Sequence, residues 1–203
     1  MRFFAFLLTT LLSLAAYSSH AQEAVRPKAP AKEAPAKEQP PPPKPVTLDD
    51  LFERLSKAGS EREAEGISNL IERRFARSGS DTADLLLTRA TQAFEKKDFP
   101  LAIELLDRVL ALRPNWAEAW YRRATVFYQI DDPVGAMADL HRALKIEPRH
   151  FNAWTGLGHI LMASDDKTRA LKAYRRVLKI NPQQSSVQTI VNRLVPDVDG
   201  QDL

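Results

Sequence analysis

The chain has 203 residues, a formal net charge of +3, no cysteine and 44% hydrophobic residues. So small a charge argues against nucleic acid held by electrostatics. The missing thiols exclude disulfides, lipid-modified cysteine and cysteine nucleophiles. The chain also lacks a GxxxxGK[ST] phosphate loop, a GxGxxG turn and an HExxH pair, so no cofactor, metal, catalytic residue or small-molecule substrate is expected.

Residues 1–21 have the form of a secretory signal. Arg2 gives a positive start, Phe3 to Tyr17 an apolar run, and Ser19, His20 and Ala21 a small-x-small cleavage site. The apolar run is shorter than the ~20 residues of a membrane-spanning helix, so an exported, periplasmic protein cleaved after Ala21 is expected over an anchored one. Residues 22–46 are rich in Pro, Ala, Lys and Glu and hold eight of the 14 prolines, four of them consecutive at Pro40 to Pro43. They read as a disordered, extended spacer.

Thr47 is suited to cap a helix, with Asp49 and Asp50 in its first turn and Leu48, Leu51, Phe52 and Leu55 along one face. Gly59 stops it, and Ser60 with Glu63 has the form of a capping box for a second helix burying Ala64, Ile67, Leu70, Ile71 and Phe75. This pair, residues 47–80, is expected to cover the N-terminal end of the array that follows.

That array is a 34-residue pattern written three times, over 83–116, 117–150 and 151–184. Small residues recur at Ala90, Ala124 and Gly158, and again at Ala102, Ala136 and Ala170; a proline closes each copy at Pro114, Pro148 and Pro182. Each copy reads as two antiparallel helices. Leu86, Trp120 and Trp154 share one register of the first helix, with Ala93, Phe127 and Leu161 two turns on. Leu106, Leu140 and Tyr174, then Val109, Ala143 and Val177, then Leu112, Ile146 and Ile180, line the second. Small residues let the paired helices approach closely, Asp98, Asp132 and Asp166 suit the turns, and the prolines set where the next copy starts. Residues 185–195 form an amphipathic terminal cap (Val187, Ile190, Val191, Leu194 against Gln188, Thr189, Asn192, Arg193), with Ser185 and Gln188 in a capping-box form. Pro196 is expected to end it, leaving 196–203 as a disordered tail.

Ala117, Trp120, Tyr121, Ala124, Tyr128, Ala136, Leu140, Ala143 and Pro148 resemble the tetratricopeptide repeat, and the flanking copies are similar at the same sites. Leu86 stands where the family has Trp, and Pro133 and Lys167 stand where it has a turn aromatic. The resemblance implies an all-α, right-handed solenoid of antiparallel helix pairs that is not an enzyme. It also implies a concave groove, lined by the first helices, that takes a protein or peptide segment. Carried over by position, the groove residues are Leu87, Thr91, Phe94 and Glu95, then Tyr121, Thr125, Tyr128 and Gln129, then Thr155, His159 and Met162. The Lys and Asn with which some relatives grip a terminal carboxylate are absent from this register.

Positive charge is concentrated in the third copy, where Arg169, Lys172, Arg176 and Lys179 share one face of its second helix. That face reads as a solvated surface or as a patch for an anionic partner, including weak contact with the envelope surface. Two further readings use this basic helix, residues 168–179: a structural envelope component, or an accessory subunit of an enzyme or secretion complex. His141, His150 and His159 recur every nine residues, which suits neither one helix face nor a metal site, and they read as surface or groove histidines.

Overall fold

A computed structural model describes residues 45–202; the expected signal segment, nearly all of the spacer and Leu203 lie outside the described residues. The described residues contain helices and no strand: α1 (Leu48–Ser56), α2 (Glu61–Phe75), α3 (Asp81–Glu95), α4 (Phe99–Leu112), α5 (Ala117–Gln129), α6 (Pro133–Ile146), α7 (Phe151–Ala163), α8 (Lys167–Ile180) and α9 (Ser185–Val198). A 3-10 turn, Asp199–Asp202, follows α9.

Local chemistry fixes where the helices start. Thr47 and Asp50 cap α1 reciprocally. Ser60 caps α2 alone, because the Glu63 carboxylate reaches back to the N–H of Gly59 instead, at 3.0 Å. Asp98, Asp132 and Asp166 cap α4, α6 and α8, accepting the N–H groups of Leu101, Gly135 and Arg169 at 3.3, 2.9 and 2.9 Å. The residue before each of these caps is left-handed: Lys97, Asp131 and Asp165 have φ of 61°, 62° and 57°. The three turns are therefore alike despite Pro133 and Lys167. Pro133 suits the first position of a helix, and the aromatic Phe99 of the first copy packs its ring on Phe94 at 5.8 Å.

Within each copy the two helices meet at the small residues. Ala90, Ala102, Ala124, Ala136, Gly158 and Ala170 are all buried. The limit is reached at Gly158, where a Cβ would stand 2.6 to 2.9 Å from the ring of buried Tyr174. Between copies, the indole N–H groups of Trp120 and Trp154 donate to the carbonyls of Pro114 and Pro148 at 2.8 and 2.9 Å. Each proline thus ends one copy and anchors the next. Leu86 has no preceding copy to bond, so it loses nothing by lacking an indole. The second-helix row ending in Leu112 and Ile146 reaches the surface rather than the core.

At the C-terminal end, α9 buries Val187, Val191 and Leu194 and turns its polar side outward. It starts differently from the expectation: Gln184 is the N-cap without a side-chain bond, and the Ser185 hydroxyl donates to Glu61 of α2. It also ends later. Pro196 lies inside the helix, which continues to Val198. Ion pairs from Asp197 to Lys167 (3.1 Å) and Asp199 to Arg175 (2.5 Å) hold this last turn on α8, while Val195 and Val198 pack on the core. Residues 196–202 are thus structured, not a loose tail.

The larger departure is the α1–α2 pair. It does not cap the first copy. Leu51, Phe52, Leu55, Ala64, Ile67, Ile71 and Phe75 join one buried cluster with residues of α5 to α9, while α3 and α4 belong to a second cluster with Trp116 and with Ala119 and Val126 of α5. Leu70 faces outward, and Leu85 on α3 remains 52% exposed.

Adding one methyl group at Gly158 would push on the Tyr174 ring. Gly158→Ala is expected to destabilise the chain by about 1–3 kcal/mol through overpacking, although alanine is the better helix former. Urea unfolding followed by circular dichroism measures it; an unchanged midpoint would show that the contact is slack.

Candidate binding surfaces

The path of α2 decides which part of the first-helix face stays open. Its contacts run in reverse order along the starts of successive copies. The carbonyl of Phe75 accepts the Trp116 indole N–H at 2.7 Å, before α5. Glu72 accepts from Asn152, in the first turn of α7, at 2.8 Å. Ser68 meets Asn181 at the end of α8 (3.4 Å), and Glu61 meets Ser185 at the start of α9. Gln183 donates to the carbonyl of Ala58 at 3.0 Å. So α2 lies across the first turns of α5, α7 and α9. Arg149 ties down α1, bonding Asp49 at 2.6 Å with its guanidinium 4.3 Å from the Phe52 ring centre.

Under α2 sits a buried polar pair. His150 and Glu118 are almost fully buried. Nδ1 of His150 accepts the N–H of Ala153 at 3.2 Å, capping α7. The ring proton therefore lies on Nε2, which donates to Oε2 of Glu118 at 3.1 Å. Oε1 of Glu118 accepts from Arg122 Nε at 2.6 Å. Phe75 of α2 stacks on the imidazole at 4.7 Å, and the Tyr121 ring packs tilted against it at 4.9 Å. Burial raises the Glu118 carboxyl, but the bond from His150 and the charge of Arg122 outweigh it and hold the carboxyl below its ordinary 4.5. Burial pushes the Tyr121 phenol up.

The expected groove residues therefore divide. Leu87 is buried among the first copy's helices. Tyr121 is mostly covered, beside α2. Thr91, Thr125 and Thr155 are half-buried, and their hydroxyls donate to their own helix at Leu87, Tyr121 and Phe151, each at 3.0 Å. Phe94 and Met162 are half-buried, Glu95, Gln129 and His159 are exposed, and Tyr128 is 49% exposed. The structure brings Thr91, Phe94, Arg122 and Thr125 around one dimple between α3 and α5. His159 lies 5.8 Å from the ring of Tyr174, and burial pulls its pKa down. His150 is a core cap and neither a surface nor a groove histidine. Its partner Glu118 was missed, although both occupy the start of a first helix and the pairing of a basic with an acidic side chain there was available as a signal.

On the opposite side, Arg169, Lys172, Arg176 and Lys179 are all exposed along α8. Arg169 bonds Asp166 at 2.5 Å. One junction earlier the second helices carry a different arrangement. Arg123 of α5 donates to Asp139 at 2.6 and 2.8 Å and to Asp107 at 2.6 Å, with its guanidinium 4.9 Å from the Trp120 ring and 5.5 Å from that of Phe127. The bonds to Asp139 raise the pKa of Arg123 further.

Two tetratricopeptide repeat models match residues 91–154 and 131–194. Together they run across all of α5 to α8. The chain belongs to the tetratricopeptide repeat family. A tetratricopeptide repeat-containing protein of Rhizobium etli is 42% identical over 79 residues, 39% of this chain and 39% of that relative, so the match spans well under half of the relative's length. Solved tetratricopeptide structures share the fold. The first such domain of Spaghetti, bound to the HSP90 peptide SRMEEVD, has a TM-score of 0.55 and 19% identity, covering 58% of this chain and 94% of that one. The OM64 domain of Arabidopsis has a TM-score of 0.55 and 18% identity, covering 58% and 98%.

The buried carboxylate is expected to make the repeat array sensitive to acid. A carboxyl whose folded pKa is lowered contributes stability that is present above its unfolded value and lost as pH falls through the folded one. For Glu118 that window lies at and below 4.5. The urea midpoint is expected to fall as pH is taken from 7 to 3.5, and Glu118→Gln to be weaker at pH 7 with a shallower fall. A Glu118→Gln profile parallel to that of the parent would remove Glu118 as the source.

Proposed function

We propose that this chain is a non-catalytic adaptor that holds a polypeptide segment along the open part of its first-helix face. The observation that carries the reading is the half-exposed Tyr128, which stands with Phe94, His159 and Met162 on the side of α3, α5 and α7 that α2 leaves uncovered. Aromatic side chains ringed by hydroxyls and few charges are what protein interfaces favour. The Spaghetti domain, which shares this fold, holds a peptide in its solved structure. Leu87 and Tyr121 then serve as supports of the surface rather than as contacts. The signal-like segment at residues 1–21 supports placing this binding outside the cytoplasm, with the spacer as a tether.

A photo-crosslinking residue at position 128 tests the surface in intact cells of the source organism. It is expected to yield discrete protein adducts that the same residue at position 134, a more exposed site (73% against 49%) in the first turn of α6, does not. Identical adduct patterns at the two positions would end the reading. Export is checked separately: the protein recovered from the periplasm is expected to begin at Gln22, and a cytoplasmic chain retaining residues 1–21 would refute it.

A further inference from the structure

The 34-residue period supplies an internal control for each junction between copies. Between the first and second copies, the cleft over Trp120 and Phe127 is filled by the guanidinium of Arg123, which Asp107 and Asp139 neutralise. Between the second and third copies, the same cleft lies over Trp154 and Leu161. Here Arg123 is replaced by Leu157, Asp107 by His141 and Asp139 by Ala173, each 34 positions on. Removing the long side chain leaves a cavity of about 220 Å³, floored by Met137, Trp154, Leu157, Leu161 and Ala173 and rimmed by His141, Arg169, Lys172 and Arg176.

The charge is inverted along with the shape. Gly135 and Ala138 of α6 become Arg169 and Lys172 of α8, joining Arg176, whose counterpart Arg142 is already an arginine. The acidic C-terminal turn pairs with Lys167 and Arg175, not with these three. Among the described residues, Lys172 and Arg176 have no ion-pair partner, and Arg169 has only Asp166 at the rim. Where one junction supplies its own cation to two acids, the next offers an empty apolar cleft to a ligand that must bring the acids itself.

We propose that this cleft, on the face opposite the first-helix surface, docks an acidic polypeptide segment. One bulky apolar side chain enters over Trp154, and flanking carboxylates reach Arg169, Lys172 and Arg176. The cavity is smaller than the ~300–1,000 Å³ typical of small-ligand pockets. It suits a single anchoring side chain, and a lipid acyl chain would protrude from it. The inference does not depend on the first-helix surface holding anything.

The probe is a fluorescein-labelled peptide, Asp-Glu-Asp-Phe-Asp-Glu-Asp, followed by anisotropy with the full chain. Saturable binding is expected, weakened at least tenfold when Ser replaces Phe or Lys replaces the acids in the peptide. The variant Leu157→Arg with His141→Asp and Ala173→Asp rebuilds the self-filled junction and is expected to lose binding at least tenfold. Lys172→Glu with Arg176→Glu, both exposed, is expected to do the same without altering the melting temperature, and decides the matter if the refilled variant fails to fold. Equal binding of the Ser peptide, undiminished binding by the charge-reversed variant or by a folded refilled one, or no binding at about 1 mM would overturn the proposal. So would binding to phosphatidylglycerol vesicles without binding to the peptide, which would assign the patch to membrane lipid.

Discussion

Glu118 and His150 share a buried hydrogen bond where α2, α5 and α7 meet, and a carboxylate can stay ionised there only while every one of its neighbours keeps its place. Arg122 supplies the compensating charge, His150 the second hydrogen bond, and Phe75 and Tyr121 close the site to water. The imidazole is committed twice, since its other nitrogen caps α7. With Nδ1 accepting from Ala153 and Nε2 facing Glu118, the ring satisfies the carboxylate and the helix start together. One junction thereby fixes the start of a repeat, the seat of the N-terminal helix pair and the extent of the open first-helix surface.

Much of the fold was legible because it depends on short-range chemistry. The closing prolines, the small residues and the aspartates in the turns act within a few residues of where they stand, and the period repeats them in phase. Glycine at 158 and the tyrosine it faces show why such a code is readable: the steric limit is met inside one copy. The seat of α1 and α2 was not legible on those terms. Their apolar stripe states how much must be buried but not against which surface, and two amphipathic helices before an array read naturally as its end piece. The choice was made by partners more than 70 residues away, such as Asn152 for Glu72 and Asn181 for Ser68.

The same distinction explains the site residues. Position within the repeat assigns one register along each first helix, since that follows from helical geometry, yet Leu87 on that register is buried and His159 lies beside Tyr174 of its own second helix. It could not tell a covered position from an open one. Tyr121 and Tyr128 lie seven residues apart on α5, yet the first is roofed by α2 and its neighbours while the second meets solvent. Pro196 failed as a stop for a related reason: a helix end is set by competition, and the ion pairs of Asp197 and Asp199 with α8 together with the packing of Val195 and Val198 outweigh the lost backbone bond.

A repeat protein also permits comparison of one position with its own copies, which no isolated domain allows. The backbone and the Trp floor are shared by successive junctions, so the differences between them can be read as changes in side chains alone. Where Arg123 lies on aromatic faces between two aspartates, the cleft is complete. Thirty-four residues on, in the spacing of the repeat, the cation has gone from the centre and cations have come to the rim. Mere loss of the ion pair would leave a neutral or acidic edge, because Asp107 and Asp139 could persist or be replaced independently. The coordinated loss of both acids and gain of Arg169 and Lys172, beside an arginine that both junctions carry (Arg142 and Arg176), is what distinguishes a junction adapted to an outside occupant from one that has simply lost its plug.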